Sequence, residues 1–320
     1  MLSRSLVAAA LSLALAGCAL KPPHPDTFAF GALGDTPYNA REELALDAML
    51  ARAGAEQLSF LVHVGDIKAG GNAPCSDALY QDRRERLDRS AHALILTPGD
   101  NDWADCRRAS NGAQDPLERL ARLREVFFAD AWSLGRRRLP LSVQEGCIER
   151  VGSRCACPAL PENRLWARNA VVFVTLHVIG SNDNRGFDAA NDAEQRCRAL
   201  ANLRWLERAV RLAEAPGQRG LVVFAQANPW ERSADGVFDG FRAQLVTAAR
   251  RLGRPLLFVH GDTHTYRFDR PFVDASGKAV GNLARLEVPG SPATGWVRVV
   301  VDPNRPSLFQ AEPVFAEGTP

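Results

Sequence analysis

Lysine is nearly missing from this chain: of its 39 basic residues only Lys21, Lys68 and Lys278 are not arginine. Arginine grips phosphate bidentately, but codon bias in a GC-rich genome is the plainer account of an excess spread along the whole sequence. A surplus of either charge is missing too. The net charge is +2, which removes the electrostatic case for a nucleic-acid surface. The apolar stretch near the N-terminus, 6–15, is too short for a membrane-spanning helix. Internal repeats and interior low-complexity segments are absent, so no solenoid or disordered array is expected. Cys155-Ala156-Cys157 has no second cysteine pair or nearby histidine, which favours structural disulfides over a zinc motif.

The N-terminus carries an address. Arg4 precedes the apolar stretch, and Leu15-Ala16-Gly17-Cys18 matches the bacterial lipobox, in which the cysteine becomes the lipidated first residue. Residues 1–17 therefore read as a lipoprotein signal peptide and 18–27, with three prolines, as an extended tether from Cys18. A domain spanning 28–316 follows. The expected location is the bacterial cell envelope, lipid-anchored in the membrane and facing the periplasm, with Ala19 after the anchor favouring the outer membrane. The six remaining cysteines are an even set in an exported chain, which suggests disulfides. Cys75 and Cys106 each follow an aspartate turn at a similar distance and are expected to pair.

Short apolar runs at Phe28–Leu33, 58–64 and 93–96 have strand length, and helical patterns lie at 41–52, 77–89 and 116–128. Their alternation predicts an α/β fold of parallel units with ligands at the carboxyl ends of the strands. From about 130 to 168 the pattern dissolves into a disulfide-rich insertion. Order returns with a strand at 170–179, a helix at 191–214, strands at 221–225 and 255–259, and a helix near 238–252. The segments 266–273, 280–288 and 294–301 read as antiparallel strands.

Five short turns close apolar strands: Gly34-Asp35-Thr36-Pro37-Tyr38, Gly65-Asp66-Ile67-Lys68, Pro98-Gly99-Asp100-Asn101-Asp102, Gln226-Ala227-Asn228-Pro229 and Gly261-Asp262-Thr263-His264. A cation held by several loops needs lone-pair donors converging on one point, and glycine keeps the turn backbone out of the way. Asp35, Asp66, Asp100, Asp262 and His264 would converge if their strands are neighbours.

In order and local grammar these turns resemble the motifs of the calcineurin-like metallophosphoesterases, D-x-H, G-D-x-x, G-N-H-[DE], a strand-end His and G-H-x-H, over about 28–268. Leu203-Arg204-Trp205-Leu206 also resembles that family's W-L helix. The resemblance implies a β-sandwich flanked by helices, a four-layer αββα arrangement, and hydrolysis of phosphate mono- or diesters by water activated on two divalent ions. It implies Asp35 and His264 at the first ion and Asp66 as the bridge. Where the family has histidine or asparagine, this chain has Pro37, Asp100, Asn101, Ala227 and Asp262. The second ion would meet Asp66, Asp100, Asp262 and an amide oxygen of Gln226 or Asn228. Such oxygen donors suit Mn²⁺, Mg²⁺ or Ca²⁺, with Fe or Zn as alternatives. Asn101, standing for the catalytic histidine, Asp102 and His177 are the candidate catalytic residues. His63 is a further candidate, although a buried strand imidazole is the plainer reading of both histidines. Lys68 and Asn182 are candidate phosphate contacts. Trp103 and Trp230 either wall a pocket or pack its rim. A monomer acting on a phosphate ester is expected. The competing reading is a catalytically weak or inactive relative that binds metal or a phosphate-containing ligand.

Overall fold

The computed structural model describes residues 24–230 and 236–315. The expected signal segment, Cys18 and the start of the tether lie outside the described residues. Among those described, no helix is long and apolar enough to cross a membrane.

The strands after each helix are buried on both faces, so they read as unbroken apolar runs and pair in parallel. In the first sheet β1 (Phe28–Leu33), β2 (Leu61–His63) and β3 (Leu94–Leu96) run parallel. It is completed by β13 (Gly295–Val301), antiparallel to β1, and by β14 (Phe309–Phe315). The second sheet has β8 (Val171–Thr175), β9 (Gly220–Phe224), β10 (Leu256–His260) and β12 (Leu283–Glu287) in parallel. Antiparallel β11 (Arg267–Asp269) closes one edge, and β7 (Arg164–Arg168) with β4 (Ser142–Val143) the other.

Alternation along β1 shows how the layers form. Phe30 and Ala32 face the second sheet and pack with Val62, Phe173, Phe224 and Val259. Ala29 and Leu33 face outward, under α1 (Ala40–Ala55), α2 (Asp77–Asp88) and α3 (Pro116–Phe127). On the far side α5 (Ala189–Ala213) and α6 (Asp239–Leu252) cover β8, β9 and β10 through Trp205, Leu206, Leu245 and Phe258. The fold is the expected four-layer αββα sandwich. Three helices start on an Asn or Asp side-chain cap, Asn39 for α1, Asp115 before Pro116 for α3 and Asp188 for α5.

Three expectations change. The strand at 170–179 ends at Thr175, and the chain then loops past His177 into the short turn α4 (Gly180–Asp183). The insertion is smaller than 130–168, because β7 belongs to the second sheet. Its irregular part is the hairpin of β5 (Cys147–Val151) and β6 (Arg154–Pro158). Cys147–Cys155 staples that hairpin, and Cys157–Cys197 ties it to α5. Cys75–Cys106 is paired as expected. The tail is not wholly antiparallel: β12 runs parallel to β10, and β14 was not foreseen.

Candidate metal centre

The carboxyl ends of β1, β2, β3, β9 and β10 deliver Asp35, Asp66, Asp100, Gln226 and Asp262 to one edge of the sandwich. Asp35, Asp66, Asp262 and His264 all have left-handed backbones, with φ of 52°, 58°, 79° and 58°. That conformation is costly outside glycine and concentrates at functional sites. The neighbouring glycines are there because the carboxylates touch their backbones. A Cβ on Gly99 would lie 2.0 Å from Asp66 Oδ1, and one on Gly261 would lie 2.1 Å from Asp35 Oδ2.

Protein donors hold these carboxylates. The Asp262 amide donates to both Asp35 oxygens at 3.0 and 3.1 Å. The Asn101 amide donates to Asp66 Oδ1 at 3.0 Å. Asp66 Oδ2 accepts from the Tyr38 hydroxyl at 3.3 Å and from Gln226 Nε2 at 3.2 Å. Gln226 Nε2 also donates to Asp262 Oδ1 at 3.2 Å, and the Asn228 amide to Asp262 Oδ2 at 2.8 Å. Asp100 Oδ2 accepts from Ser181 Oγ at 2.6 Å. Asp100 Oδ1 is buried and has no hydrogen-bond partner.

The electrostatics follow from the crowding. Burial, then the Asp100, Asp102, Asp35 and Asp262 carboxylates, push Asp66 well above the usual carboxylate range. Asp35 is raised by burial too, only partly opposed by the Asp262 amide. Burial and Asp100 also raise Asp105, to about 6. Tyr38, buried beside Asp66, is held strongly protonated. His264 Nδ1 lies 2.7 Å from the Ser291 carbonyl, which can only accept. Its Nε2 lies 3.6 Å from Asp35 Oδ1 and 3.3 Å from the Tyr38 hydroxyl. With Nδ1 held by a backbone carbonyl, Nε2 is the nitrogen the ring would offer to a metal.

The donor chemistry fits a hard cation: converging carboxylates, an imidazole in the ligating tautomer, and an orphaned buried oxygen on Asp100. The present spacing does not yet form a cage. Among the described residues no group of three or more His, Cys, Asp or Glu is arranged to hold a metal ion. Two donor groups stand in the way, the Gln226 NH₂ between Asp66 and Asp262 and the Tyr38 hydroxyl between Asp66 and His264.

Several sequence-based assignments are corrected. An amide oxygen of Gln226 or Asn228 was expected at the cluster, but the Gln226 oxygen accepts from the Gly180 amide at 2.7 Å, so its NH₂ faces the cluster. The Asn228 side chain turns away, to Thr263 Oγ1 and the Trp230 amide. Asp102 is not a proton donor at the site: its carboxylate accepts from the Gly99, Ile67 and Asp66 amides and so staples two turns together. Lys68 does not reach a phosphate, because it is fully buried with its ammonium on the carbonyls of Ala69 and Asn101. His177 is spent as well. Its Nδ1 bonds Glu162 at 2.6 Å, and its Nε2 accepts from Trp103 Nε1 at 3.1 Å. His63 bonds the Thr36 carbonyl and the Gly65 amide inside the core. Asn182 sits on the rim and bonds the Arg185 carbonyl. Trp103 packs in the interior, and Trp230 packs on Phe272 and under Arg285.

Asn101 remains at the site: its Nδ2 donates to the Tyr38 hydroxyl at 3.1 Å. Tyr38 and Ser181 are the residues that sequence reasoning missed. Tyr38 was visible inside the first turn. Ser181 begins four consecutive left-handed residues, 181–184, a conformation with no reliable sequence signature beyond its Asn and Asp content.

No family model matches the chain, and no curated protein matches it. Solved structures do. GAP50, the anchor in the inner membrane complex of Plasmodium, aligns with TM-score 0.54 at 10% identity over 92% of this chain and 86% of its own. A dimetal phosphatase from Danio rerio aligns with TM-score 0.48 at 12% identity over 91% and 99%. A 5'-nucleotidase from Candida albicans aligns with TM-score 0.47 at 10% identity over 91% and 52%. At such identities the likeness to GAP50 speaks to the fold alone. The fold, two sheets packed face to face and flanked by helices, is shared with GAP50.

Proposed function

We propose that the chain is a metal-dependent phosphoesterase of the bacterial envelope, tethered through a lipid on Cys18 and facing the periplasm. Asp100 Oδ1 carries the reading: it is buried, unpartnered, and set among carboxylates from four separate turns, a charge pattern that a divalent ion would relieve. Asp66, Asp100 and Asp262, with Asp35 and His264, would hold that ion, and Mn²⁺, Mg²⁺ or Ca²⁺ suits the oxygens best. A bound ion would neutralise phosphoryl charge and lower the pKa of water. The chain's own part is to orient the ester at the half-buried mouth through Tyr38, Asn101 and His264. The three disulfides support an oxidising compartment.

The test is turnover of aryl phosphate monoesters, diesters and nucleotides by the mature chain with added Mn²⁺ or Mg²⁺, against Asp66→Ala. Metal-dependent turnover lost in the variant is expected; none on any substrate would sink the hydrolase. A second reading, a non-hydrolytic relative that binds metal or a phosphate ligand, is favoured by Asn101 standing where the family's proton-donating histidine is expected. Metal binding without turnover would select it.

A further inference from the structure

The Gln226 side chain lies fully inside the protein with both ends engaged. Its Oε1 accepts from the Gly180 amide at 2.7 Å, and its Nε2 stands 3.2 Å from both Asp66 Oδ2 and Asp262 Oδ1. The Gly180 N–H can only donate, so it fixes which end of the amide is oxygen. Turning the amide over would set an N–H against an N–H and an oxygen between two carboxylates. Both contacts repel, unless positive charge enters between the carboxylates.

Gly180 also shows where that charge would sit. A Cβ on Gly180 would lie 2.6 Å from Asp262 Oδ1 and 2.8 Å from Asp100 Oδ1, so these two oxygens face one spot beside the Gln226 amide. Asp100 Oδ1 is the buried oxygen without a partner, on a residue only 6% exposed. An acceptor is therefore aimed at the same place that Gln226 bridges from the side.

We propose that Gln226 is an internal latch: its NH₂ stands in for a divalent cation between Asp66 and Asp262, and a cation binds only as the amide releases Gly180 and turns over. The inference rests on the metal-dependent reading above and adds a built-in competitor to it. Gln226→Glu removes both N–H donors and supplies an anionic ligand at the same reach.

The test is Mn²⁺ titration of the mature wild-type chain and of Gln226→Glu by calorimetry, with circular dichroism confirming that both are folded. The variant is expected to bind about tenfold more tightly or better, since an added carboxylate raises affinity for hard cations. Equal or weaker binding by a folded variant overturns the latch while leaving the metal-dependent reading standing. Absence of Mn²⁺ binding in both proteins overturns the two together. A second measurement needs no variant. On titrating wild type with Mg²⁺, the Gly180 amide proton should lose its hydrogen bond, seen as an upfield shift and faster exchange by NMR. An unmoved Gly180 signal at saturating Mg²⁺ overturns the latch.

Discussion

Replacing Glu162 with glutamine tests whether His177 is a brace or a catalyst. Glu162 is fully buried in the turn just before β7. It accepts from Arg124 Nε and Nη2 at 3.0 and 2.7 Å and from His177 Nδ1 at 2.6 Å. His177 Nε2 in turn receives the Trp103 indole N–H. A chain of bonds thus runs from α3 through Glu162 and His177 to the turn that carries Asp100. Burial alone would raise the Glu162 carboxyl, but Arg124 and His177 outweigh it and hold it far below the usual range. A depressed carboxyl stabilises the fold above its unfolded pKa and loses that contribution as pH falls. Removing the charge strands the Arg124 guanidinium, and breaking a buried pair in this way costs about 3–5 kcal/mol. Glu162→Gln should therefore unfold in urea with that loss at pH 7, and the loss should shrink below about pH 4. Any activity should fall only as far as the folded population falls. A loss under about 1 kcal/mol, or an abolished turnover in a fully folded variant, would refute the bracing role.

Two further predictions concern the same edge of the molecule. Replacing Cys75 and Cys106 together by alanine opens a crosslink between residues 31 apart, and loop entropy puts the loss at about 3.7 kcal/mol, measurable by urea unfolding under oxidising conditions. In chelator, Asp35 and Asp66 should each contribute a loss of stability that sets in as pH rises above about 4, the ordinary carboxylate range. Asp35 and Asp66 have raised carboxyls, so the native state keeps protons that the unfolded chain has lost. The buried His63, depressed to about 4, acts the other way only below the histidine range. A pH dependence of the melting temperature left unchanged by Asp66→Asn would contradict the crowding of the carboxylates.

The centre of the sandwich was legible because β1, β2, β3 and β10 are nearly apolar throughout and closed by glycine–aspartate turns, a pattern set by burial on both faces. The position of Asp66, Asp100, Asp262 and His264 on one edge followed from the parallel strand order. The roles of single polar groups did not follow. Lys68 and Asp102 lie inside motifs that look outward in sequence, yet each binds the backbone of both the Asp66 and the Asp100 turns, since those turns expose amides and carbonyls that must be paired once buried. The orientation of the Gln226 amide depends on one N–H, that of Gly180, 46 residues away. Periodicity carries no record of such a contact.

The departures from the family motifs therefore have a physical direction. The family motifs have a neutral asparagine where Asp100 stands and a neutral histidine where Asp262 stands; aspartate at either position adds negative charge that must be answered. Without a cation the answer comes from protons: the Gln226 amide, the Tyr38 and Ser181 hydroxyls, and carboxyls raised by burial. In the proposed metal-bound state the same oxygens would become the ligands, so the proton donors around Gln226 and a hard cation would compete for one set of oxygens.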